Sequence, residues 1–316
     1  MTTRAWRILV LVSLAAPLLV GQPGGVAGPV AGYVFDRSAR ALRPILGIPG
    51  AWLVGDPLNL GATLASAHVS PRQDLAVVVD ADGLLRWFRL SSGAASGLTL
   101  NGITVVPERV AFSPSGAAVA LAAAGRVQVV TGLPDAPALA GTVDAGGAPG
   151  SLAVSDDGAF LLFAAGGSIR LLGTAGGNRK LMDAGDGALV SFASGGHDAA
   201  VADPGGAGVV LFRDVAGAST QSALAPAGDT LAAPVGLAFS PDGRKLYLAS
   251  SAARSVTVLD LSTGDRSAIQ CDCTPAGLVP MGNLLRLTDF GAGPLWLLDA
   301  GAADPRMVFV PAATVR

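Results

Sequence analysis

The apolar positions of this chain fall in short runs, each closed by Gly, Pro, Ser or Asp. In the run Ser255-Val256-Thr257-Val258-Leu259-Asp260-Leu261 apolar and polar residues alternate in part. A period of two marks β-strands, and turn residues between runs mark hairpins. One phrase recurs, namely an apolar strand, a Ser-Pro-x-Gly turn or a decayed form of it, and a second apolar strand. Its cleanest copy is Leu237-Ala238-Phe239-Ser240-Pro241-Asp242-Gly243. The six copies end at Gln73, Gly116, Gly158, Gly196, Gly243 and Gly282. The spacing averages about 42 residues, and each unit has room for four short strands.

Repeats of this length with four strands each predict an all-β propeller of four-stranded antiparallel blades. After the fifth copy, the second strand is read at Lys245 to Ser250 and the third at Ser255 to Leu261. Third strands recur at Leu84 to Leu90, Arg126 to Val130, Ser168 to Leu172, Gly208 to Phe212 and Pro294 to Leu298. Residues 62–316 thus form six blades. Residues 29–61 add further strands, with Gly32 to Asp36 read as a third strand and Arg43 to Gly47 as a fourth. These complete the ring by pairing with the C-terminal unit, or form an extra blade with Ala51 to Val54. Seven blades are favoured over six.

The unit Leu237 to Asp265 resembles the YVTN-type β-propeller repeat, related to lactonase-like and WD40-like propellers. The resemblance rests on Ser240-Pro241-Asp242-Gly243, the strand Lys245 to Ala249, and Val258-Leu259-Asp260-Leu261 followed by Thr263-Gly264. It covers residues 62–316 as a fold. For function it implies little, because such propellers carry unrelated activities. Lactonase-like members gather acidic and polar residues around the channel, whereas the inner columns here are Ala, Val, Phe and Leu.

Composition sharpens this picture. Hydrophobic residues make up 51% and charged residues only 14%, so a sizeable core is expected and long disorder is not. Glu108 is the sole glutamate among 23 acidic residues, and Lys180 and Lys245 are the only lysines. Exposed helices favour Glu and Lys, whereas turns favour Asp and Gly, so the balance again reads as all-β. A net charge of −2 argues against a nucleic-acid partner. Arg4 and Arg7 precede the apolar run Ile8 to Val20 and a small-residue exit, which reads residues 1–28 as a signal peptide. An exported protein, periplasmic or extracellular and a monomer without a membrane span, is the expectation. Cys271 and Cys273 would pair with each other there or stay free. With two histidines in the chain, no metal site of the zinc type is expected.

Aligning the first strands gives a large apolar column, Val69, Phe112, Val154, Phe192, Phe239 and Leu278. Its neighbouring column reads His68, Ala111, Ala153, Ser191, Ala238 and Gly277. His68 alone breaks the run of small residues. It is either packed and hydrogen-bonded or placed to bind or titrate. His197 follows a hairpin turn and is expected in solvent. Loops between second and third strands hold Asp80, Asp82, Asp203, Arg254 and Asp289, candidate binding residues at one face. Such Asp residues mostly cap turns, though a calcium ion would also suit them. No cofactor is otherwise expected. No nucleophile elbow, phosphate loop or marked carboxylate pair is present, so no catalytic residue is assigned. These observations point to a non-enzymatic binding or interaction scaffold for a protein or small molecule. The alternatives are a lactonase-like hydrolase using His68 and loop Asp residues, or a part of an envelope assembly.

Overall fold

The computed structural model describes residues 28–312 except 186, 227, 229–231, 292 and 303. The leader read at the N-terminus lies outside them apart from Gly28. Among the described residues, 27 strands form seven antiparallel sheets, and no helix is long and apolar enough to cross a membrane. Each sheet uses consecutive strands, and the sheets form the seven blades of a β-propeller. They span residues 30–54, 64–98, 109–144, 151–183, 189–225, 234–270 and 279–310, here blades one to seven. The third strands run Leu85–Ser91, Arg126–Thr131, Ser168–Gly173, Gly208–Arg213, Ser255–Asp260 and Leu295–Asp299, close to where the pattern puts them.

Seven apolar clusters hold the ring, one at each junction between neighbouring blades. Strand alternation explains how one blade feeds two of them. In the second strand of blade six, Leu246 and Leu248 pack toward blade five, while Tyr247 and Ala249 pack toward blade seven. Both faces are buried, so the middle of this strand, Leu246 to Ala249, is a continuous apolar run instead of alternating. Tyr247, Phe163 and Phe192 lie fully inside these junctions, each contributing about 2–3 kcal/mol of apolar burial. The ring closes where Val34, Ile45 and Trp52 of blade one meet Met281, Leu295 and Val310 of blade seven.

Blade one is a blade of its own, but the strand assignment there needs correction. In blades two to seven the residue after the third strand, or one close to it, donates its N–H to the residue before or near the second strand. Examples are Leu133 to Ala117 (3.1 Å), Thr174 to Ala159 (2.9 Å) and Leu261 to Arg244 (2.8 Å). Blade one repeats this with Gly47 N–H and Pro29 O at 2.9 Å. Val30–Asp36 and Ala41–Leu46 are therefore second and third strands, not third and fourth, and Leu53–Val54 is the fourth. Buried Asp36 also mirrors buried Asp80: each accepts two backbone N–H groups and an arginine, Arg43 or Arg86. Strands two to four share the same period, so pattern alone does not encode distance from the axis. No described strand takes the innermost place in this blade.

The recurring turn is held by its serine. Ser240 Oγ donates to Asp242 Oδ1 (2.6 Å) and accepts from Lys245 N–H (2.9 Å), while Gly243 adopts φ +68°. In blade five the left-handed residue is Gly195, one place before the aligned Gly196. Cys271 and Cys273 form a disulfide, buried at the junction of blades six and seven.

Two glycines separate backbone strain from crowding. Gly158 and Gly243 share φ +68°, but a Cβ at 158 would lie 2.3 Å from Thr131 Cγ2, whereas at 243 it meets nothing within 4 Å. We expect Gly243→Ala to cost about 1–2 kcal/mol, and Gly158→Ala to cost about 1–3 kcal/mol more. Denaturant midpoints check this, and equal losses would refute the crowding. The turn carboxylates also set acid stability. Hydrogen bonds hold Asp242 below its ordinary value, and Asp260 is lowered to about 2 by bonds from Ser262 and Thr263. Depressed native values mean stability that is complete above the unfolded value of about 3.9 and lost as pH falls through the native ones. Urea midpoints should accordingly drop between about pH 4 and pH 2.

Candidate functional site

The axis of the ring is a channel of about 560 Å³. Its wall is built from the first strands of blades two to seven, including Val69, Phe112, Val154, Phe192 and Phe239, and from Leu278 just before blade seven's first strand. In blade one, which lacks a described first strand, the second-strand residues Tyr33, Val34 and Phe35 line it instead. The inward edge of that strand is capped in part: Tyr33 N–H donates to Gln73 Oε1 at 2.8 Å. Gln73, at φ +63°, stands where the other first-hairpin turns carry glycine.

Among the described residues, the charged and imidazole groups of the lining are Arg72, Arg286 and His68, and no Asp or Glu lines it. Arg72 pairs with Asp74 (2.8 Å) and donates to Leu133 O (2.7 Å), tying blade two to blade three. Arg286 Nη1 pairs with Asp289 Oδ1 (2.8 Å), whose other oxygen accepts from Arg37 (2.9 Å). Two guanidinium groups thus share one carboxylate at the seam between blades seven and one. Arg286 is not among the residues that the sequence pattern marks as candidates. Its column in the second strands reads Val77, Ala120, Leu162, Ala200, Tyr247 and Arg286, so a signal was present.

His68 projects an exposed face into the channel, and among the described residues no hydrogen bond contributes to its environment. Its surroundings are the channel wall and, more weakly, the charge of Arg286. Both hold its pKa below the usual histidine value, burial being the larger cause. The packed, hydrogen-bonded alternative does not describe this residue.

The loop candidates do not converge. Asp80 accepts from Asp82 N–H (3.0 Å), Leu84 N–H (2.9 Å) and Arg86 (2.7 Å). Asp203 accepts from Gly185, Gly205 and Ala207 N–H groups, and Arg254 donates to Cys273 O. Asp289 serves Arg37 and Arg286, and Asp82 is exposed. They belong to blades two, five, six and seven. Among the described residues, no three His, Cys, Asp or Glu side chains gather as a metal site would require.

His197 is not freely solvated as expected. Its ring is half-buried, bonded to Asp157 Oδ2 at 2.9 Å and edge-on to Phe160 at 5.0 Å. Beside it, Asp156 joins three blades, accepting from Ser115 N–H (2.8 Å) and Gly195 N–H (2.8 Å). Burial raises its pKa, but the bonds from Ser115 and Gly195 outweigh that and leave it below the ordinary value. This network braces the channel mouth.

Comparison with solved structures supports the same architecture. A "putative 6-phosphogluconolactonase" from Bacteroides fragilis superposes with a TM-score of 0.58 at 15% identity, over 89% of this chain and 94% of its own. A Lactobacillus plantarum protein gives 0.57 at 18% identity, over 89% and 95%. A functionally unknown protein from Desulfotomaculum acetoxidans gives 0.57 at 13% identity, over 89% and 100%. These likenesses establish the fold and nothing finer. No protein-family model matches the chain, and no curated protein does.

Because His68 is exposed and makes no hydrogen bond, His68→Ala should shift unfolding by no more than about 0.5 kcal/mol. A calorimetric or urea titration measures this, and a loss of several kcal/mol would make it a packing residue.

Proposed function

We propose that this protein is an exported, non-enzymatic propeller that binds a small, largely apolar ligand in its central channel. The observation that carries this reading is the lining itself, a largely apolar wall of Val, Phe, Leu and Ala that carries His68, Arg72, Arg286 and a few neutral polar side chains and, among the described residues, no carboxylate. Ligand sites of this size are typically apolar with a few placed polar groups. General acid–base hydrolysis needs a proton-transfer group within reach of the substrate, commonly supported by a second group that orients it. His68 has no such support in the wall. The leader-like segment Met1 to Val20 supports export.

Lactone hydrolysis is the second reading, favoured by the name of the Bacteroides neighbour. His68 would be its general base, acting on a water above the lactone carbonyl. The discriminating experiment incubates purified protein with simple lactones, with and without divalent cations, and screens apolar compounds for thermal stabilisation. We expect no turnover above the uncatalysed rate. We also expect saturable stabilisation by a few degrees, as binding to the native state alone demands. Metal-dependent turnover lost in His68→Ala would replace the binding reading with the hydrolytic one.

A further inference from the structure

Two residues break otherwise apolar or small columns of the repeat, and both line the channel. His68 stands among Ala111, Ala153, Ser191 and Ala238 in the first strands. Arg286 stands among Val77, Ala120, Leu162, Ala200 and Tyr247 in the second strands. The exceptions fall in blades two and seven, which flank blade one. At the equivalent position Tyr247 is fully buried against the next blade. Arg286 instead reaches the channel, because no described strand stands in front of blade one's Tyr33 to Phe35.

Both groups have hydrogen-bonding capacity left over. A guanidinium carries five N–H donors, and the bonds of Arg286 to Thr288 O and Asp289 use Nη1 alone. Neutral His68 has one N–H donor and no bond to the protein among the described residues. The neighbouring charges are Arg72, itself paired to Asp74, and the Arg37–Asp289 pair, which leaves an excess of one positive charge at the seam. A cationic ligand would meet no carboxylate among the described residues of this wall, and a buried charge without a partner is costly.

Building on the channel-binding reading, we propose that the ligand is an amphipathic carboxylate. Its anionic head is held by Arg286 and His68, and its apolar body lies against the partly exposed wall residues Val69, Val110, Phe112 and Leu152. A charge-assisted bond from the guanidinium fixes the head, and the exposed apolar part of the wall sets the length and girth of the tail. One guanidinium with one imidazole matches a single negative charge.

Three probes of one shape test this, namely 4-phenylbutyrate, 4-phenylbutanol and 4-phenylbutylammonium. Each is titrated into the full protein while the ring protons of the two histidines are followed by NMR, His197 serving as internal control. We expect the carboxylate to bind at least ~10-fold more tightly than the alcohol, with the ammonium weaker still. The carboxylate should raise the pKa of His68 and leave His197 unmoved. Arg286→Gln should lower carboxylate affinity by about 10-fold and leave alcohol affinity unchanged. The titrations of the unaltered protein need no folded variant. If the alcohol or ammonium binds as tightly as the carboxylate, the anionic head is wrong while channel binding stands. If none of the three binds a protein whose histidine spectrum is native, both fall.

Discussion

A propeller blade cannot bury either of its faces alone; each face needs a neighbour, and the last neighbour must be the first blade. That closure condition governs the molecule. Alternate residues of one strand serve different junctions, as Leu246 and Tyr247 do in blade six, so the second strands lose the polar face that antiparallel sheets often show. It also crowds the first strands near the axis, where small residues such as Ala153 and Ala238 let blades approach. The channel is the space left once seven such wedges have met.

Closure at the seam uses side chains and one isolated backbone bridge where other blades use a strand. Blade one presents its second strand to the axis, and Gln73, Met281 and Phe290 crowd its inner edge. Gln73 accepts from Tyr33 N–H, Met281 sulfur lies 2.5 Å from where a Cβ of Gly32 would be, and the backbone of Phe290 forms an isolated parallel bridge with Asp36. The Arg37–Asp289–Arg286 chain of charges binds the same edge to blade seven. A regular repeat would line the axis with equivalent apolar positions in every blade. The departure from regularity gives the channel its chemical polarity, which is why the distinctive groups lie beside the seam.

Much of this was legible along the chain. The Ser-Pro-x-Gly turns mark hairpins because their geometry is local: the serine bonds within five residues, and the glycine supplies the left-handed φ. His68 was visible because its own column is otherwise nearly all small. Arg286 was less visible, since an arginine at the end of a short strand looks like ordinary surface solvation, and its column elsewhere is junction core. His197 misled for a related reason. Its bond to Asp157 crosses 40 residues between two blades, and no local pattern announces a contact of that range.

The sequence by itself determined the repeat, its strands and turns, and the all-β class, because period, turn chemistry and apolar spacing act over a few residues. It also restricted the ring to six or seven blades. Only the tertiary structure decided that residues 30–54 make a blade of second, third and fourth strands. Radial position in a ring depends on which neighbours a strand meets, and strands of one period are interchangeable until those neighbours exist. For the same reason the pairing of His68 with Arg286 in one channel belongs to the closed ring: their side chains share a space that comes into being only when blade seven meets blade one.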